Sequence, residues 1–157
     1  MKFILFQLLD ALIFLHENKI AHRDFNIHNI LIDPRSYHVK IIDFGLSKVC
    51  GLGDIASPQG NPLYRVPLEL EIDEDCFFAD VWAFFLVACS LFLKKNTKSD
   101  HLIKLLCQLE IKNLYCNVDT KALFHFVELV KLELKRKREN KQEISLILLK
   151  TALDKII

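Results

Sequence analysis

Apolar positions Phe3, Leu8, Leu12 and Leu15 recur at helical spacing and predict an amphipathic helix over residues 3–17, closed by Glu17-Asn18-Lys19. Short β-like runs follow at Ile20-Ala21 and Ile30-Leu31-Ile32, and Val39-Lys40-Ile41-Ile42 reads as a strand leading into Asp43. Between them Asp33-Pro34-Arg35-Ser36 is a turn, with Pro34 supplying a fixed φ. Residues 46–66 carry Gly51, Gly53, Pro58, Gly60 and Pro62 and read as a loop. From residue 77 onward the pattern predicts four helices, at about 77–93, 99–110, 119–134 and 141–155. The expectation is a mainly α fold with a small β element at one end, forming one domain over residues 1–157.

Two apolar stretches imitate membrane signals. Met1 to Leu15 resembles a signal peptide, but Gln7 and Asp10 interrupt it and no small-x-small cleavage site follows before His22. Phe77 to Leu93 approaches the length of a spanning helix, yet it contains Asp80, so a buried central helix is the better reading. Charge adds little: 21 basic residues against 20 acidic give a net +1, which offers no electrostatic case for nucleic acid or an anionic membrane. The run Lys135-Arg136-Lys137-Arg138 is local and reads as a solvated turn. Cys50, Cys76, Cys89, Cys107 and Cys116 form no C-x-x-C pair, which argues against zinc and against a disulfide framework and points to a reducing compartment. His28, His38, His101 and His125 have no metal-favouring spacing and read as surface or packing residues.

Chemistry concentrates in His22-Arg23-Asp24-Phe25-Asn26-Ile27-His28-Asn29, followed by Asp43-Phe44-Gly45. An Asp, an Asn and a second Asp at this spacing match what phosphoryl transfer uses to hold a hydroxyl and two magnesium ions. With further matches the chain resembles the protein kinase family. Gln7-Leu8-Leu9-Asp10-Ala11-Leu12 to His16 is similar to the helix before the catalytic loop, and Gly60-Asn61-Pro62-Leu63-Tyr64-Arg65-Val66-Pro67-Leu68 to the G-T-P-x-Y-x-A-P-E end of an activation segment. Asp80-Val81-Trp82-Ala83 resembles the opening of the buried central helix.

The resemblance covers Phe3 to about Leu149 and implies a kinase-like large C-terminal lobe: catalytic loop 22–29, metal loop 43–45, activation segment 46–68. The small N-terminal lobe is absent from these residues, with no glycine-rich phosphate loop, no V-A-I-K lysine and no partner glutamate. It implies ATP and Mg²⁺ as cofactors, with Asp24 as catalytic base, Asn29 and Asp43 as metal ligands, and Leu31 beneath the adenine. Asp80 would accept hydrogen bonds from the His22–Asp24 backbone, and His22 and Phe44 would stack. The implied partners are a protein substrate, of serine/threonine type, and a separate small-lobe or activating polypeptide. Neither nucleic acid nor a membrane is expected, and the location is cytoplasmic, with the nucleus left open.

Departures from the pattern matter too. The usual Lys two after the catalytic Asp is Asn26, and the Thr of G-T-P is Asn61; both changes fall on the acceptor site. The A-P-E glutamate position is Leu68, so Glu69 is expected to pair with Arg138 instead. Phe85 replaces the usual Gly of the central helix, and Ser57 sits where an activating phosphate facing Arg23 would lie. A pseudokinase scaffold is therefore the alternative. A small-molecule phosphotransferase is disfavoured by Asp43-Phe44-Gly45 and by the Gly60–Tyr64 stretch.

Overall fold

Helix α1 (Lys2–Glu17) buries Leu5, Leu8, Leu9, Leu12 and Leu15, a one-sided stripe at three- and four-residue steps, each worth about 1.5–3 kcal/mol. Phe3, counted with that stripe from sequence, lies off it: it is exposed and its ring tilts against His38. The helix stops where Lys19 takes φ 61°, the left-handed closing position, with its N–H donating to His16 O at 3.0 Å. A computed structural model describes residues 2–51, 59–66, 76–92, 128–129, 132 and 145–156.

Two antiparallel pairs follow. Strand β1 (Ile20–Ala21) pairs with β4 (Lys48–Val49), and β2 (Ile30–Ile32) pairs with β3 (Val39–Ile41) in the register Ile30–Ile41, Leu31–Lys40, Ile32–Val39. The β2–β3 turn is made by Asp33, whose Oδ1 accepts Arg35 N–H at 2.8 Å; that bond first, then those from Ser36, holds the carboxyl below its ordinary value. The stretch 46–66, expected as loop throughout, contains β4 and a 3-10 turn at Pro62–Tyr64. Glycine and proline density concealed both, because β4 exists only through backbone pairing with β1, where Val49 meets Ile20 and Lys48 meets Ala21.

Helix α2 (Cys76–Phe92) is the centre of the core: every residue from Val81 to Cys89 is buried. Burial on all faces accounts for its membrane-like composition, and among the described residues no helix is long and apolar enough to cross a membrane. Burial pushes the Cys89 thiol up to about 12, so it packs as a small apolar group. Helix α3 (Leu146–Ile156) adds Leu146, Leu149 and Leu153 to the same core. It begins five residues later than expected because Ser145 caps it, its Oγ accepting Leu148 N–H at 3.3 Å. Lys2 pairs with Asp154 at 3.0 Å and Lys150 with Asp10, tying α1 to α3 at the surface. The helices expected at 99–110 and 119–134 lie outside the described residues, apart from Glu128, Leu129 and Leu132, which are helical. Ser57, Leu68, Glu69 and Arg138, and with them the expected Glu69–Arg138 pair, also lie outside.

Candidate active site

Asp80, inside α2 and 1 % exposed, organises the loop above it. Its Oδ2 accepts His22 N–H at 2.7 Å and its Oδ1 accepts Arg23 N–H at 2.8 Å, while His16 Nε2 donates to Oδ2 at 3.2 Å. A buried carboxylate needs such donors, and here two consecutive amides supply them. Arg23 is thereby held at φ 66°, a left-handed conformation uncommon for a side-chain-bearing residue. His22 is fully buried: its Nε2 donates to Ile42 O at 3.0 Å, which leaves Nδ1 to accept Asp24 N–H at 3.3 Å. Its ring meets Phe44 edge-on at 4.8 Å, so the expected His22–Phe44 contact is present.

Asp24 is half-buried and closely held. Oδ1 accepts from Asn26 Nδ2 at 3.0 Å and Asn61 N–H at 2.9 Å, and Oδ2 accepts from Asn29 Nδ2 at 2.9 Å. Carboxylate oxygens have room for two donors each, so among the described residues one acceptor direction of Oδ2 stays open. Asn26 and Asn61 do converge on Asp24, and both also cap 3-10 turns, Asn26 at Ile27–Asn29 and Asn61 at Pro62–Tyr64.

Asn29 Nδ2 donates to both Asp24 O and Asp24 Oδ2, at 2.9 Å each, which leaves its amide oxygen available. Ile42 N–H donates to Asn29 O at 2.9 Å, extending the β2–β3 ladder and setting Asp43 one residue beyond Asn29's partner. Asp43 is exposed at φ 63°, with Oδ1 accepting Gly45 N–H at 3.3 Å. Leu31, on β2, is 52 % exposed, and Phe44 and Leu46 are exposed as well. Asn29 and Asp43 offer hard oxygen donors of the kind Mg²⁺ takes, so the donor set fits that ion.

Gly60 is the residue whose role the motif alone did not explain. At φ 72° it lies so close to the loop that a Cβ would stand 2.5 Å from Arg23 O and 2.7 Å from Asp24 Oδ1. Gly60→Ala is expected to displace Asp24 and to destabilise the chain by at least about 1–2 kcal/mol, the left-handed penalty alone. An unchanged urea midpoint would reject this close approach. His16 was also missed as a ligand of Asp80, since sixty-four positions separate the two and no local pattern joins them.

A carboxylate-anchored loop thus carries Asp24 and Asn29, and the ladder bond from Ile42 to Asn29 sets Asp43 next in the chain. The protein kinase domain family model matches residues 1–153, and the chain belongs to that family. It is 30 % identical over 126 residues to the probable serine/threonine-protein kinase mkcF of Dictyostelium discoideum, covering 77 % of this chain and 18 % of that protein. It is 39 % identical over 83 residues to the serine/threonine-protein kinase fused of Drosophila melanogaster, covering 52 % and 10 %. To cyclin-dependent kinase 12 of the same fly it is 32 % identical over 150 residues, covering 87 % and 13 %. The chain thus spans 10–18 % of the length of these three relatives. Kinases of this family generally use ATP and Mg²⁺ and act on proteins.

Proposed function

We propose that these residues are the large lobe of a serine/threonine protein kinase, carrying the acceptor and metal side of the cleft, with the small lobe supplied by other residues. The observation that carries this reading is the direct bonding of Asp24 to Asn29, together with the ladder bond that brings Asp43 alongside. In it Asp24 uses the open direction of Oδ2 to orient an acceptor hydroxyl and take its proton. Asn29 and Asp43 hold Mg²⁺, which when bound neutralises charge on the phosphate oxygens. Leu31 supports the adenine, and its exposure suits that.

The reading is tested by calorimetry and by transfer assays. The chain alone is expected to bind Mg-ATP more weakly than micromolar, since the lysine and glycine-rich loop are not among its residues. Fused to a complete small lobe, it is expected to transfer phosphate to a serine or threonine peptide, and Asp43→Asn to abolish transfer by removing a metal ligand. Micromolar binding by the chain alone would reject the half-cleft; full activity of the Asp43 variant would reject the metal role.

One observation favours a scaffold without transfer. Asn26 is buried and directs its amide at Asp24, so the acceptor site has no cation from that position. Absence of one such donor corresponds to about 10²–10³ in rate. A fused chain that binds Mg-ATP yet shows no transfer would decide for the scaffold.

A further inference from the structure

Among the described residues, one side chain bonds the outer edge of the β2–β3 hairpin at the start of β3. Asp33 N–H donates to His38 O and Ile42 N–H to Asn29 O, both at 2.9 Å, so the ladder bonds fall at alternate residues. By that alternation Val39 N–H and Tyr37 C=O face away from β2, toward α1. Gln7 meets both: its Oε1 accepts Val39 N–H at 3.0 Å, and its Nε2 donates to Tyr37 O at 2.9 Å and to Phe3 O at 3.2 Å. The carboxamide occupies the edge as a peptide group of a third strand would, satisfying a donor and an acceptor two residues apart.

We infer that Gln7 is a positioning residue for the nucleotide and metal side of the site: it fixes the height and register of β3 on α1, and so the placement of Asp43. This rests on the kinase reading for its functional consequence, though not for its structural part. The hairpin is only three residue pairs long, and a two-stranded ribbon of that size has little stability of its own. Ile30, Val39 and Ile41 pack on the main core, but apolar contact is non-directional and tolerates sliding. Hydrogen bonds are directional over tenths of an ångström. Gln7 supplies two of them to the start of β3, four residues before Asp43, while the other end is held by Ile42 and Asn29. Loss of the clamp frees the strand to move relative to α1, and Asp43 moves with it.

The test uses the isotope-labelled 157-residue chain, followed by amide NMR, with variants Gln7→Met and Gln7→Glu. In the parent the Val39 amide is expected to exchange slowly despite facing away from β2; exchange at the rate of a free edge amide would overturn the clamp. Gln7→Met keeps the length and loses both bonds, so Val39 exchange is expected to rise at least about tenfold. The signals of Ile42, Asp43, Phe44 and Gly45 are expected to shift with it. A rise at Val39 with residues 42–45 unmoved would reduce Gln7 to a local tie and overturn the positioning role.

Gln7→Glu gives the readout that a space-filling role would not move. An ionised carboxylate accepts from Val39 N–H but repels Tyr37 O, whereas a protonated one again offers one acceptor and one donor. The difference between its Asp43 signal and the parent's at the same pH is therefore expected to shrink as pH falls through the ordinary glutamate range, near about 4.3. A difference from the parent that stays constant with pH would overturn the inference. Mg-ATP titration of the chain fused to a complete small lobe forms the last arm, with an expected weakening of at least about threefold in Gln7→Met. If the fused parent shows no Mg-ATP binding while Asp43 still shifts in the variants, the kinase reading fails and the positioning role stands. If the parent binds and both variants bind equally, with Asp43 unmoved, the positioning role fails alone.

Discussion

Asp80→Ala is expected to lower the unfolding free energy by about 2–6 kcal/mol, because it orphans two buried amides at about 1–3 kcal/mol each. The groups are His22 N–H and Arg23 N–H, and His16 Nε2 loses its acceptor as well. A loss of this size is a large fraction of what holds a domain together. Arg23 sits in a left-handed conformation, so release of its amide should also relax the loop and displace Asp24. Asp80→Asn is expected to fall between parent and alanine variant, since the carboxamide keeps one acceptor and turns a donor toward a donor. The measurement is urea unfolding followed by circular dichroism. An unchanged midpoint in Asp80→Ala would show that these bonds do not hold the loop.

The second large effect is on chemistry. In the chain completed by a small lobe, Asp24→Ala is expected to reduce phosphoryl transfer by about 10²–10⁴-fold, the span associated with a positioned general base. The carboxylate is also the meeting point of Asn26, Asn29 and Asn61, so its removal takes the acceptor from Asn61 N–H and leaves Asn26 and Asn29 Nδ2 bonded to Asp24 O. Nucleotide affinity in the same variant separates the two consequences: a base acts on the rate, whereas collapse of the loop would weaken binding as well. Transfer within a few-fold of the parent would remove Asp24 from the reaction.

Much of the site was legible in the chain because its residues are close in sequence. Asn26 and Asn29 cap and close one 3-10 turn, and Asp24 precedes that cap by two residues, so short spacing along the chain brings the three side chains together. Asp43 follows a strand with a clear β-branched signature, and pairing of that strand with Ile30–Ile32 needs only a short turn at Asp33. The helices α1 and α2 were readable for a similar reason: periodic or continuous apolar runs report burial whatever the partner. Asp80 was assigned through the family resemblance, which supplied the amides that a carboxylate inside an apolar helix demands.

Length, period and the residue types of the catalytic loop were thus determined by the sequence itself, since they depend on interactions within a few residues. What only the tertiary structure decided depends on approach between distant segments. β4 forms because β1 offers free backbone groups beside it. Gly60 must be glycine because Arg23 O and Asp24 Oδ1 occupy the space of a Cβ. His16 binds Asp80 and Gln7 closes the edge of β3 because helix α1 passes beneath both the loop and the hairpin. Each of these is a hydrogen bond or an excluded volume set to a fraction of an ångström, and residue spacing along a chain carries no information at that scale until packing fixes which surfaces meet.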